Sequence, residues 1–306
     1  MMFSNILLQV GVLLILIALG FILAKIKMIN EVGAQCFTDI VLYAATPCVI
    51  FTSFIRPFEK SAAKGLLISF SSAIAAHILF ITLSLFIIRN KNIGRERVLR
   101  FAAIFGNCGF MALPLQQAIL GAKGVFYGSS VVAVFNIFVW SFGVYLMSGD
   151  RKHIKPKSLA VSPSIIAIVL GIVVFVFSLP VPDILRKPMD FLAGLNTPLP
   201  MIVIGYHLAK SDILKGLKDK GAIFATSLRL IIFPAAALFI MYLCNIRGTM
   251  LVSLTIAFSS PIAAMTAMFS AKYGNDTSLA ATIVSMSHII SIITMPPLIY
   301  LSQLLA

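Results

Sequence analysis

The sequence predicts an all-α membrane protein with ten transmembrane helices in two inverted five-helix repeats, broken in helices 4 and 9. Three observations predict it. The 306 residues are 60% hydrophobic and 11% charged, with a mean hydropathy of +1.04, whereas a water-soluble domain carries about 25% charged residues. The apolar sequence falls into stretches of about 20 residues, the length that crosses a hydrocarbon core. Finally, DIVLYAATP (39–47) recurs as DFLAGLNTP (190–198), 151 residues later.

Span 1 covers residues 5–24. No basic residue precedes its apolar run, and Lys25 and Lys27 follow it. That is the reverse of a secretory signal peptide, so the segment reads as a first span. Spans 2 to 5 fall at 35–55, 65–88, 98–120 and 124–147, and spans 6 to 10 at 160–179, 190–209, 221–244, 248–270 and 277–304. The most polar gap, GDRKHIKPKS (149–158), divides the chain into repeats at 1–149 and 150–306.

Basic residues set the orientation. The gaps after spans 1, 3, 5, 7 and 9, counting Arg100 at the start of span 4, hold 16 Lys and Arg, and the opposite side holds 7. The positive-inside rule therefore places the 149–158 loop in the cytoplasm and both termini outside the cell membrane. An odd number of spans per half inverts the second half relative to the first. Pro114 and Pro261, 147 residues apart and late in spans 4 and 9, repeat the correspondence. Inverted repeats with discontinuous helices are a plan of secondary transporters.

Each expected break has a local cause. In FGNCGFMALP (105–114), Gly106 and Gly109 weaken the helix and Pro114 cannot donate to the Phe110 carbonyl. In AFSSP (257–261), Pro261 frees the Ala257 carbonyl. Such groups need protein or a watery cavity around them at membrane depth, and half-helix N-termini offer positive dipole ends to an anion. Asn107, Asn136, Ser259, Ser260 and His288 lie in these spans or beside them. With Pro114 and Pro261 they are the candidate substrate-binding residues. Ser287, Ser291 and Thr294 share one face of span 10. For any one amide or hydroxyl, the alternative is a hydrogen bond that only joins helices.

Other chemistry finds no support. The net charge of +14 comes mainly from loop Lys and Arg without interleaved aromatics, so no nucleic-acid partner is expected. Cys36, Cys48, Cys108 and Cys244 sit singly in apolar runs, which argues against a zinc site or a disulfide framework. No phosphate-binding loop, nucleophile elbow or zinc-protease motif occurs. The chain is expected to be no enzyme and to hold no cofactor. Coupling to H+ or Na+ stays open.

FGNCGFMALPLQQAILGAKG, VVAVFNIFVWSFGVYLM, SSPIAAMTAMFSAKYGND and ISIITMPPLIY resemble the auxin efflux carrier family of secondary transporters, over essentially the whole chain. The resemblance implies a fold similar to the bile-acid symporters, with spans 4 and 9 crossing at Pro114 and Pro261. It implies a transport domain of spans 3–5 and 8–10 and a scaffold of spans 1, 2, 6 and 7 that is often a homodimer. It also implies a permease moving small organic carboxylate anions across the bilayer by alternating access. A channel-like uniporter or facilitator is the alternative.

The repeated motif then belongs to the scaffold. Thr46-Pro47 and Thr197-Pro198 are expected to bend spans 2 and 7, and with Asp39 and Arg229 they are the coupling or gating candidates. Asp39 and Asp190 lie about 12 Å along the helix from their prolines. That puts them in the first turns of their spans, where an acid favours the helix dipole. A coupling role for Asp39 is the alternative. Arg229 is expected to snorkel to the headgroups or to form an ion pair, with attraction of an anionic substrate as the alternative. His77 is expected to be a packing residue.

Overall fold

In lipid no backbone group can go unpaired, and helices pair theirs internally. The computed structural model describes residues 2–154, 162–211 and 216–306, and these form helices and no strand. In chain order they are α1 (Met2–Lys25), α2 (Glu31–Ser53), α3 (Lys60–Ile87), α4 (Ile93–Ile104), α5 (Cys108–Ser148), α6 (Pro163–Val176), α7 (Asp183–Gly194), α8 (Pro198–Ala209), α9 (Lys220–Leu243), α10 (Gly248–Phe258), α11 (Met265–Lys272) and α12 (Thr277–Leu304). Among the described residues, seven stretches are long and apolar enough to cross a membrane: α1, α2, α3, α5, α7 with α8, α9 and α12. Helices α6 and α10 are shorter and apolar. Gly121, at φ 62°, divides α5 into two limbs, a conformation that glycine adopts without steric cost.

The expected span 4 is therefore α4, an interruption at 105–107 and the first limb of α5. The expected span 9 divides into α10 and α11, and span 7 begins earlier than expected, at Asp183. Lys155, Lys157 and the expected start of span 6 at residue 160 lie outside the described residues.

Short polar side chains fix several helix starts. Asn30, Asn92, Asp219 and Asp276 each accept the N–H three residues further on, as N-caps do. Arg95 ties three of these starts together, bonding Asp219 and lying 3.6 Å from Asp276. Burial pushes the Asp219 carboxyl up, but the Arg95 hydrogen bond and the Ala222 N–H outweigh it and hold the group below its usual range.

The dipole reading of Asp39 and Asp190 is overturned. The first-turn acids are Glu31 and Asp183, because α2 and α7 begin about two turns before the repeated motif. The dipole effect fades within the first turn. Asp39 is exposed and accepts from Gln35 at 2.9 Å, and Asp190 is exposed and 3.6 Å from Arg186.

Packing relies on close backbone approach and on aromatic rings. α1 lies along α8, with α10 on α5 and α2 on α6. A Cβ on Gly205 would overlap the Ile17 carbonyl, and one on Gly20 would overlap Ile202. Such small-residue contacts let membrane helices pack backbone to backbone. Inside, Phe80 stacks on Phe233 at 4.9 Å and Phe101 meets Phe105 at 4.5 Å. Outside, Ile184 and Phe191 are each 81% exposed and Phe86 is 70% exposed, an apolar surface suited to lipid.

Gly205→Ala should push α1 and α8 apart and lower the thermal unfolding midpoint in detergent by about 5 °C. Gly11→Ala, whose Cβ meets nothing within 4 Å, should leave it unchanged. Equal midpoints for both variants would contradict the close α1–α8 contact.

Candidate functional site

The interruptions after α4 and α10 run past each other in the middle of the molecule. Asn107 N–H donates to the Pro261 carbonyl at 2.6 Å, and Ala263 N–H donates to the Phe105 carbonyl at 3.0 Å. Gly106 thereby stands opposite Ile262 in a single antiparallel bridge. Ile262 N–H donates to Ser287 Oγ on α12 at 3.1 Å. Each broken helix thus supplies partners for backbone groups freed by the other.

Arg229 closes the ends of both preceding helices. Its Nη1 donates to the Ile104 carbonyl, the last residue of α4, at 3.2 Å. Its Nε donates to the Ser260 carbonyl at 3.0 Å and its Nη2 to Ser260 Oγ at 3.3 Å, just past the end of α10. A helix C-terminus carries partial negative charge, so one guanidinium serves two such ends. The five donors of arginine make that double capping feasible. The side chain is 3% exposed and forms no ion pair among the described residues. Both leading expectations for Arg229, snorkelling and an ion pair, are overturned. Gly106 makes room for it, since a Cβ there would overlap the guanidinium.

Asn107 caps the next helix. Its Oδ1 accepts from Phe110 N–H at 3.3 Å, and its Nδ2 lies 3.1 Å from His288 Nε2. His288 Nδ1 lies 2.8 Å from the Val284 carbonyl. A carbonyl only accepts, so Nδ1 carries the proton, and in the neutral ring Nε2 accepts from Asn107. The amide of Asn107 keeps one further N–H. At the positive ends of the following helices, a Cβ on Gly109 would meet nothing within 4 Å, and Ala264, just before α11, is exposed.

The break in the first half does not lie at Pro114. The π turn Cys108–Ala112 absorbs the missing donor: Leu113 N–H reaches back to the Cys108 carbonyl and the helix continues through Pro114. The same device precedes Pro47 at Val41–Ala45 and Pro234 at Leu228–Ile232. Widening the turn relieves the clash that proline makes with the preceding turn. Pro261 does lie within a break. The two interruptions therefore meet at Gly106 and Ile262, not at Pro114.

The other candidates are committed to partners within the protein. Ser259 and Ser260 are buried, their hydroxyls turned to the Ile256 and Ala257 carbonyls at 3.2 and 2.7 Å. Asn136 is half-buried and donates to the Val132 carbonyl at 2.8 Å. It adjoins the crossover through Phe135, which packs edge-on to Phe105 at 5.9 Å. His77 is buried and stacked on Phe138 at 5.4 Å, as a packing residue would be.

Thr46 and Asn196 join the two copies of the repeated motif. Thr46 Oγ1 donates to Asn196 Oδ1 at 2.7 Å, while Pro47, Thr197 and Pro198 are half-buried around the contact. Asn196 is 1% exposed, and its Nδ2 has no partner among the described residues. Sequence reasoning passed over it because the match rested on Thr-Pro, and the first copy has Ala45 at that place. Its signal was an amide where the other copy is apolar.

Arg229→Met should leave the Ile104 and Ser260 carbonyls short of donors, at about 1–3 kcal/mol each. The unfolding midpoint in detergent should fall by about 5–10 °C. Gly106→Ala should act in the same direction by displacing the guanidinium. Wild-type midpoints for both variants would contradict the capping role.

Residues 5–161 and 153–299 match the family described as membrane transport protein. An uncharacterized transporter of Methanothermobacter thermautotrophicus is 27% identical over 291 residues, which cover 92% of this chain and 94% of that protein. An uncharacterized transporter of Methanocaldococcus jannaschii is 25% identical over 284 residues, covering 89% and 90%. The chain therefore belongs to the membrane transport protein family, the auxin efflux carrier-like transporters that its sequence resembles.

Proposed function

We propose that this transporter carries small organic carboxylate anions by alternating access. One observation carries the reading: the buried Arg229 neutralises both helix C-terminal ends, and the following N-terminal ends face open space at Gly109 and Ala264. Among the described residues, the buried charged side chains are Arg229 and Glu96, and Glu96 pairs with Arg100 at 2.8 Å. A crossover with a fixed cation, positive dipole ends and no buried carboxylate favours an anion over a cation. A carboxylate suits the free amide donors. Asn107 and Asn136 each commit one N–H to a protein partner and keep another for substrate.

The helices support a ten-span count. In this reading α4 with the first limb of α5 is span 4, the second limb is span 5, α7 with α8 is span 7, and α10 with α11 is span 9. The halves 1–149 and 150–306 are then inverted, with both termini extracytoplasmic. Spans 3–5 and 8–10 carry the crossover as a transport domain. Spans 1, 2, 6 and 7 form the scaffold and the homodimer surface, with Thr46–Asn196 joining spans 2 and 7. The burial of Ser259 and Ser260 favours a gated carrier over an open pore.

Uptake of mono- and dicarboxylates into proteoliposomes, under imposed pH and sodium gradients, tests the reading and identifies any driving ion. For the best acid, Asn107→Ala should raise KM about tenfold, the loss of one hydrogen bond to a charged partner. Asn136→Ala should change KM in the same direction. Preference for organic cations, or wild-type KM in both variants, would overturn the proposal.

A further inference from the structure

A cavity stands apart from the crossover. It holds about 380 Å³ where the starts of α3, the second limb of α5 and α10 converge, a size within the range of small-ligand sites. Lys64, Lys123 and Arg247 line it, together with Ser61, Tyr127 and Thr249. Among the described residues none of the three cations is ion-paired, and Glu59, near the start of α3, is 3.6 Å from Arg56.

One charge at this cavity, that of Arg247, is fixed in place. Arg247 Nη1 donates to the Tyr242 and Ile246 carbonyls at 2.7 and 2.9 Å, and the guanidinium lies 4.0 Å from the Tyr242 ring centre. The helices around the cavity are also tied together. Ser253 Oγ donates to the Gly124 carbonyl at 2.7 Å, and Gln116 Nε2 donates to the Ser253 carbonyl at 2.9 Å. Tyr127 lies against Gly65, where a Cβ would meet the ring at 2.9 Å. The first N–H of α10, on Gly248, is already taken by an oxygen of Ala306 at 3.3 Å. The side-chain cations and hydroxyls therefore provide the attraction.

Three like charges around one cavity repel one another, and an anion among them relieves that repulsion. We propose that this pocket binds an oxyanion, a carboxylate or phosphate group, independently of the crossover. Thr249 and Ser259 are ten residues apart along one helix, about 15 Å, so both sites can be occupied together. Two sources supply such a group: a soluble anion drawn toward the protein, or the phosphate of an acidic lipid headgroup. The exposed Lys64 and Lys123 can reach either.

Binding rather than transport provides the test, so it succeeds or fails apart from the crossover proposal. The full chain in discs of neutral phosphatidylcholine is titrated with inorganic phosphate by calorimetry. In parallel, phosphatidylglycerol retained by the protein is counted by native mass spectrometry. Lys64→Gln/Lys123→Gln should weaken phosphate binding about tenfold, which marks a soluble anion as occupant, or abolish phosphatidylglycerol retention, which marks a lipid. Lys123→Gln alone, at an exposed position, should give a smaller effect in the same direction and guards against misfolding of the double variant. Absence of both ligands from the wild type, or equal phosphate affinity and lipid retention in wild type and variants, would overturn the proposal.

Discussion

Two helices that stop inside a membrane must find partners for their ends, and the crossover is how this chain finds them. A helix end leaves up to four donors or four acceptors without intrahelical partners, and lipid supplies none. Here Asn107 N–H and Ala263 N–H bond across to Pro261 and Phe105, and Ser287 takes the N–H of Ile262. The remaining acceptors at Ile104 and Ser260 converge on Arg229. Gly106 is small because the guanidinium occupies the space of its missing Cβ. Interruption, glycine and arginine form one solution to one backbone problem.

That solution is electrically lopsided. Burying a guanidinium has a large desolvation cost, and the bonds to two helix C-terminal ends offset part of it. Once those ends are capped, the following N-terminal ends remain the electrostatically active ones. The π turn at Leu228–Ile232 puts Arg229 on a widened turn of α9, as π turns often do at functional sites. Local backbone geometry therefore sets where Arg229 can cap both helix ends.

Hydropathy made the membrane class and the approximate positions of the apolar helices legible. The repeated nine-residue motif pointed to a real contact, because Thr46 meets Asn196 within its second copy. The breaks were legible as regions, and the first was misplaced by residue. Proline marks a missing donor, but whether a helix breaks or widens depends on neighbours, and Pro114 and Pro47 are accommodated by π turns. Arg229 was legible as a charge in an apolar span. Its role was hidden because its acceptors are backbone carbonyls, which carry no sequence signature. Asp39 and Asp190 were misread because α2 and α7 extend into more polar sequence than a hydropathy window admits.

The most direct test is hydrogen exchange at the crossover itself, measured on the Asn107 and Ala263 amides of the protein in neutral lipid discs. Both N–H groups are bonded across the break, and both residues are buried. They should exchange as slowly as amides in the middle of α10, with exchange speeding up in Arg229→Met. Rapid exchange at both amides in the wild-type protein would show that the two interruptions do not hold each other, and would contradict the account.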